Sequence, residues 1–394
     1  MKTTTKATGL ATVALAAVLG ALPGCGDLQK RPPKNTIPVD LVATRPDGST
    51  VLFTVAGIYV FDGLLLAQWN HIPFDALGVP PLNSAGPSGG DAGVLRFSLS
   101  ADGNTAAVSF SPITVQGNTR IALYRMPGGE LLNTFEPTVD PASPLYVDTQ
   151  ALSPDGSLLC ALVEIVNGTT TMMMIDVATG TTLWTKVGAK ALPVWSPDGA
   201  TLFAGTQNLA TADSSVEALD ARSGALKWSY DLSTNVVMGL AVVGDGSLLA
   251  GAVDPPTDTP GMRAGDWPPF YPFWSAADGT PAMQVAPVAH TWFYATGPNG
   301  YANFACNGTD TCAAGLNEWN DPERQNFIHV YKPDGTVLLT LPTPVGKAIN
   351  SMAISADGNF ITIANPYDLG GGATVFSLVD GKKLNSQIFT TDSL

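Results

Sequence analysis

The sequence predicts an all-β protein: a seven-bladed β-propeller of four-stranded antiparallel blades, preceded by a cleaved signal peptide. Three observations lead there. A phrase of apolar strand, Asp-Gly-type turn and apolar strand recurs on average about 52 residues apart, the period of a propeller blade. A second glycine turn follows each of the first, so every unit holds four short strands. After residue 25 no segment sustains the apolar period of a helix, which sets aside α/β barrels and doubly wound sheets.

The first turns read RPDGSTVLFTV from Arg45, SADGNTAAVSF from Ser100, SPDGSLLCALV from Ser153 and SPDGATLFAGT from Ser196. VGDGSLLAGAV from Val243, GPNGYANFAC from Gly297 and SADGNFITIAN from Ser355 complete the series. Their turn glycines are Gly48, Gly103, Gly156, Gly199, Gly246, Gly300 and Gly358. Asp-Gly and Asn-Gly supply the positive φ that tight hairpins require. The second series runs from FDGLLLAQW at Phe61 through PGGELLNTF at Pro127, ATGTTLWTKV at Ala178 and RSGALKWSYDL at Arg222. It ends with ADGTPAMQV at Ala277, PDGTVLLTL at Pro333 and VDGKKLNSQIF at Val379. The blades are expected at 38–70, 93–137, 146–187, 189–233, 235–286, 288–342 and 346–391.

Composition agrees with a turn-rich globular body. The 394 residues include 41 Gly and 31 Pro, and only 13% are charged, against roughly 25% in an average domain. An apolar share of 45% excludes intrinsic disorder. The excess of 33 acidic over 19 basic residues, a net charge of −14, excludes the basic footprint that nucleic acid requires.

The N-terminus reads as an address. Lys2 and Lys6 precede an apolar run over residues 9–21, too short for the about 20 residues of a bilayer span but suited to a secretory segment. Leu22-Pro23-Gly24-Cys25 follows and resembles a bacterial lipobox. That resemblance implies cleavage after residue 24 and lipidation of Cys25, and Gly26 after the cysteine implies an outer-membrane lipoprotein. Residues 25–37 then form a lipidated, Pro-containing tether ahead of a propeller over 38–394. The acidic body would be repelled by anionic lipid, so membrane contact is expected through the acyl chains alone. Outside the cytoplasm Cys306 and Cys312, which bracket CNGTDTC, are expected to form a disulfide. Cys160, in the apolar SLLCALV, reads as a small buried hydrophobe.

The Ser-Pro-Asp-Gly phrase, including VWSPDGATLFAG from Val194, resembles the repeats of the bacterial Tol-system propeller and of WD-repeat relatives. Two segments, Asp176 to Trp184 through Gly180 and Asp220 to Trp228 through Gly224, resemble the tryptophan-docking motif of quinoprotein-type propellers. The resemblance implies that Trp184 and Trp228 seat between adjacent blades, a structural role. Two of the seven units carry it.

In a four-stranded meander both glycine-turn series fall on one face, and the central connections and inter-blade links fall on the other. Length varies on the second face, in the link after blade one and in the central connections expected for blades five and six. Insertions gather on the binding side of repeat scaffolds. Their content includes Trp69 and His71, then Trp267, Phe270, Tyr271 and Trp274, then Trp319 and Arg324, the last pair pinned by the disulfide. Aromatic residues beside prolines suit an interface; they would equally suit a plug over the channel mouth.

GPSGG places Ser88 in a Gly-x-Ser-x-Gly match, but in a loop with no helix after it. His71, His290 and His329 make no metal-ligand spacing, and His329 in the alternating FIHVYK reads as structural. Asn303, Asn307, Asp310, Glu318, Asp321 and Glu323 match no Ca²⁺ loop. No cofactor and no metal are expected. A carboxylate pair drawn from different blades stays open. The leading expectation is a monomeric, non-enzymatic envelope scaffold that binds a protein or glycan partner through the loop-bearing face. The alternatives are a lactonase-like or glycan-cleaving hydrolase at the channel mouth, and a purely structural envelope protein.

Overall fold

A computed structural model describes residues 39–54, 56–62, 67–74, 93–112, 119–137, 145–165, 169–188, 193–207, 213–233, 235–243, 245–254, 271–285, 291–293, 304–307, 310–318, 326–342, 349, 351–365 and 372–388. They form seven antiparallel sheets at 39–72, 93–135, 145–187, 194–233, 236–285, 291–342 and 351–387, numbered here as blades one to seven. In each sheet the strands pair in chain order, so every blade is a meander. The fold is a seven-bladed β-propeller. First strands of blades two and three, four and five, five and six, six and seven, and seven and one touch one another, which marks the first strands as the inner ones. The fourth strands show alternating exposed and half-buried residues and are the outer edge.

The core is divided among the blade interfaces. Seven apolar clusters each draw on two neighbouring blades. The cluster that closes the ring joins Val39, Leu52, Tyr59 and Phe61 of blade one to Ala364, Ala373 and Val375 of blade seven. Closure uses packing plus two cross-blade hydrogen bonds, Val42 N–H to Ser351 Oγ at 3.2 Å and Thr44 Oγ1 to the Ile354 carbonyl at 3.1 Å. A fully buried Leu or Phe is worth about 1.5–3 kcal/mol, so each interface stabilises both sheets it joins.

The Ser-x-Asp-Gly phrase builds its turn by direct chemistry. Ser196 Oγ donates to Asp198 Oδ1 at 2.6 Å and accepts the Thr201 N–H at 2.9 Å, while Asp198 Oδ1 accepts the Ala200 N–H at 3.0 Å. Ser153 and Asp155 repeat the clamp, as do Ser355 and Asp357. The clamping hydroxyls and N–H groups hold the Asp198 and Asp357 carboxyls below their ordinary range. In blade one Arg45 stands in the serine's place, with Nη1 on Asp47 at 2.6 Å and Nε on the Gly103 carbonyl of blade two at 2.9 Å. Where described, the turn glycines of both series have φ between 69° and 92°, a region costly for other residues.

Every outer strand carries a β-bulge shortly after the second turn, with a further one at Leu232 in blade four. In blades one to four the residue just after the first bulge bonds the second turn of the next blade. Trp184 N–H donates there to the Ala221 carbonyl at 2.9 Å, and Trp228 N–H to Ala276 at 3.0 Å. A Cβ on Gly224 would lie 2.8 Å from the Trp184 ring, and one on Gly279 would lie 2.6 Å from Trp228. Asp176 and Asp220 accept the Thr179 and Ser223 N–H groups at 3.0 Å and shape the turns that end in Gly180 and Gly224. The same seat is filled by Asn70, donating to the Pro127 carbonyl at 2.7 Å, and by Asn133, donating to Val177 at 3.3 Å. Docking thus operates in four blades, two of them with asparagine.

Blade six departs from the sequence expectation. Its inner strand is in two pieces, Thr291–Phe293 and Phe304–Cys306, both paired with Cys312–Glu318. The first hairpin is therefore closed by the Cys306–Cys312 disulfide, with Asn307 and Thr311 bonded across it, rather than by a turn at Gly300, which lies outside the described residues. The extra length of this blade interrupts its inner strand and does not extend its central connection, residues 319–325. The cystine sits on the glycine-turn face, so it does not pin the connection that holds Trp319 and Arg324. The hairpin end keeps its ladder through Phe304–Cys306, and the disulfide closes it covalently.

Two substitutions test the docking. Trp184→Phe keeps the ring but loses the N–H donor and should cost about 1 kcal/mol in urea unfolding. Gly224→Ala meets both positive φ and the Trp184 ring, and should cost about 2–4 kcal/mol. A Gly224→Ala change without measurable cost would mean that this turn does not seat the indole.

Candidate functional site at the axial mouth

Antiparallel pairing places the start of every inner strand at the face opposite the glycine turns. At that end three consecutive inner strands bring together Asp40 of blade one, Arg96 of blade two and Asp148 of blade three. Asp40 and Asp148 stand eight residues before Gly48 and Gly156, whereas Arg96 stands seven before Gly103. The difference is a β-bulge. In blade one Val39 pairs with Thr54 and Leu41 with Phe53, passing over Asp40. In blade three Val147 pairs with Val163 and Thr149 with Leu162, passing over Asp148. The ladder of blade two is continuous. Bulges re-aim side chains beside functional sites, and here two of them bring carboxylates level with one guanidinium.

Arg96 is held from the blade-three side. Its Nε donates to the Asp148 carbonyl, its Nη1 to the Leu95 carbonyl at 3.0 Å, and its Nη2 lies 3.8 Å from Asp148 Oδ1. Gln150, only 3% exposed, donates through Nε2 to the Arg96 carbonyl at 3.1 Å and to Ala107 at 2.9 Å. Its buried Oε1 receives no donor among the described residues. Asp40 is half-buried, and no hydrogen bond reaches its carboxyl among the described residues. Desolvation inside the ring pushes that carboxyl up to about 7 against the pull of the Arg96 charge. The mouth therefore offers a guanidinium, a carboxylate beside it, and a second carboxyl whose affinity for a proton is raised by burial. Among the described residues no group of His, Cys, Asp and Glu could hold a metal ion.

The residues singled out from sequence are spread differently. Tyr271 and Trp274 are not in a surface loop: both are buried in the third strand of blade five, Tyr271–Ser275. Tyr271 packs on Tyr331 of blade six at 5.1 Å, and Trp274 on Tyr230 of blade four at 5.8 Å. They fill the gaps on either side of their blade and cannot meet a partner. Trp69 and His71 lie in the outer strand Ala67–Ile72 instead of opening the following link. The His71 ring stacks on Tyr59 at 4.4 Å and 9°. Trp267, Phe270, Trp319, Arg324 and Cys25 lie outside the described residues, as does Ser88. His329 is buried in its strand, where desolvation lowers its affinity for a proton, and Cys160 is buried. Asp40, Arg96, Asp148 and Gln150 were not singled out. Counting back a fixed number of residues from each turn glycine aligns them, and the two bulges hide the alignment by one residue.

Solved structures resemble this fold. Hydrazine synthase of Kuenenia stuttgartiensis matches with a TM-score of 0.60 at 14% identity, covering 88% of this chain and 97% of that one. The β-propeller domain of Cps50 (Swd1) from Myceliophteria thermophila matches with a TM-score of 0.56 at 13% identity, covering 84% and 95%. At such identities the likeness is one of fold. No family model and no curated protein matches the sequence.

The Asp40 carboxyl has a definite sign in the pH dependence of stability. Its folded affinity for a proton exceeds the ordinary one, with a pKa of 3.8. The cost of burying the charge is therefore absent below about pH 4 and grows as pH rises toward 7. Asp40→Asn should melt with the parent at about pH 4 and several degrees above it at about pH 8. A variant that melts lower at both values would show that the ionised carboxylate supports the ring.

Proposed function

We propose that the protein is a lipid-anchored scaffold of the bacterial cell envelope that captures a protein or glycan partner through its connection-bearing face. A β-propeller is suited to binding, because its rigid ring presents loops from seven blades on one surface. The observation that supports this reading most directly is the contrast between the two faces. On one, hairpins are short, clamped by aspartate and seated against their neighbours. On the other, links run from residues 234–235 between blades four and five to residues 73–92 between blades one and two. Residues 255–270, which hold Trp267 and Phe270, also join strand ends at that face. Anchoring rests on the lipobox-like Leu22–Cys25 segment.

A hydrolase at the channel mouth is the second reading, and Asp40 with Asp148 favours it. A carboxyl of raised proton affinity at the same end of the ring as a second carboxylate is the kind of pair from which glycan cleavage can be built. Turnover of a glycan or lactone substrate that Asp40→Asn abolishes would select this reading.

The scaffold reading is tested by capture from envelope extract of the parent organism, with the bound species identified. Trp267→Ala combined with Trp319→Ala should reduce recovery of that species at least about tenfold, as expected for interface anchors. Asp334→Asn on the opposite face should leave recovery unchanged. Equal recovery from all three proteins would remove the connection-bearing face as the contact surface.

A further inference from the structure

We propose that two clefts flanking the end of the blade-four outer strand form one binding site for a neutral glycan chain. The proposal rests on reading the connection-bearing face as the binding surface, and it names the kind of partner that face takes. Alternation along Leu226–Ser233 sends side chains to both neighbouring blades. Tyr230 turns toward blade five, where its ring meets Trp274 at 5.8 Å and lines a cleft of about 510 Å³. Ser229 and Asp231 turn toward blade three and line, with Lys186 and Glu217, a second cleft of about 400 Å³. Both volumes suit a ligand site, which spans roughly 300–1,000 Å³. Asp231 borders both clefts, so a ligand that fills the two is a chain that crosses this residue. The strands that end or begin here, at Val187, Gln207, Ser214 and Ser233, do so on the connection-bearing face.

The lining selects the ligand. Asp231 accepts the Ser233 N–H on Oδ1 at 2.7 Å, and its Oδ2 has no partner among the described residues. Asn235 spends Nδ2 on the Leu232 carbonyl at 2.9 Å and keeps Oδ1 open in the same sense. Gln284, exposed in the larger cleft, keeps both its amide donor and its acceptor. Planar donors and acceptors beside the half-buried Tyr230 ring match a sugar, whose hydroxyls donate and accept and whose C–H faces cover an aromatic. In the smaller cleft the Thr206 and Ser215 hydroxyls lie 2.8 Å apart and extend the polar wall. Lys186 Nζ is spent on Glu217 Oε2 at 2.6 Å. One lysine against Asp213, Glu217 and Asp231 leaves the clefts acidic, which repels an anionic glycan. A peptide adding itself as a strand is disfavoured too. The bulge at Leu232 and the φ of 53° at Ser233 break the edge with which it would pair.

Calorimetry of the full chain tests the site with two neutral probes, chitotetraose with its acetamido groups and cellotetraose with hydroxyls alone. Tetragalacturonate and an oligolysine peptide are the charged controls. A neutral tetramer should bind at least about tenfold more tightly than either control. The tighter of the two shows whether the clefts read acetamido or hydroxyl groups. Tyr230→Ala should weaken that binding at least about tenfold and Gln284→Ala at least about threefold, while Asp334→Asn leaves it unchanged. Gln284 is exposed and has no partner among the described residues, so its variant should melt with the parent and report contact rather than folding. No binding of either tetramer, tighter binding of a charged control, or full affinity in Gln284→Ala overturns the glycan site. Capture through Trp267 and Trp319 without tetramer binding keeps the face as a binding surface and removes the glycan site. Tetramer binding with capture unaffected by those two tryptophans upholds the clefts and moves the contact to them.

Discussion

Seven small twisted sheets set around an axis leave wedges between them, and filling those wedges is the constraint on which the rest of the structure depends. Near the axis the inner strands touch and small or medium side chains suffice. Farther out the sheets diverge and the wedge needs either a large ring or a polar bridge. Trp274 and Tyr271 fill it beside blade five, and Trp184 and Trp228 seat on the next turn beside blades three and four. Asn70 and Asn133 bridge the same gap by hydrogen bond alone. The bulge that precedes each of these residues lifts the strand so that a single side chain reaches across. It also interrupts an exposed strand edge that would otherwise invite pairing with another chain.

The wedge accounts for the division between the two faces. Glycine turns lie where neighbouring blades interlock: Gly199 packs on Pro154, Gly246 on Pro197 and Gly103 on Arg45. A longer hairpin there would collide with the next blade. Connections on the opposite face differ in length, from residues 234–235 to residues 73–92. Length varies mostly on that face, while in blade six it interrupts the inner strand instead.

The blade grammar was legible because it is local. A Ser-Pro-Asp-Gly turn carries its own clamp, and alternation on either side gives the strands, so blade number and order could be counted. What was not legible is whatever depends on a second blade. Tyr271 and Trp274 sit in a run rich in proline and aromatics that reads as a loop, yet its last residues form a strand sandwiched between two interfaces. Asn70 and Asn133 look like surface polar residues until the next turn is brought against them. In blade six the Gly-Pro-Asn-Gly segment resembled the other turns, but the cysteines closed the hairpin seven residues later.

The axial mouth is where this chain departs from its own rules. Elsewhere carboxylates are satisfied at once: Asp198 and Asp357 each accept a hydroxyl and a backbone N–H, and both are held ionised. Asp40 is the reverse, a carboxyl drawn into the ring, raised toward neutrality and given no donor among the described residues. It reaches that place only because the inner strand spends an extra residue, and blade three spends another on Asp148. The desolvated carboxyl acts against stability there, whereas the interrupted ladder is shared with the inner strand of blade five, whose bulge passes over Met238. Sequences keep such conflicts where a ligand or a reaction requires them.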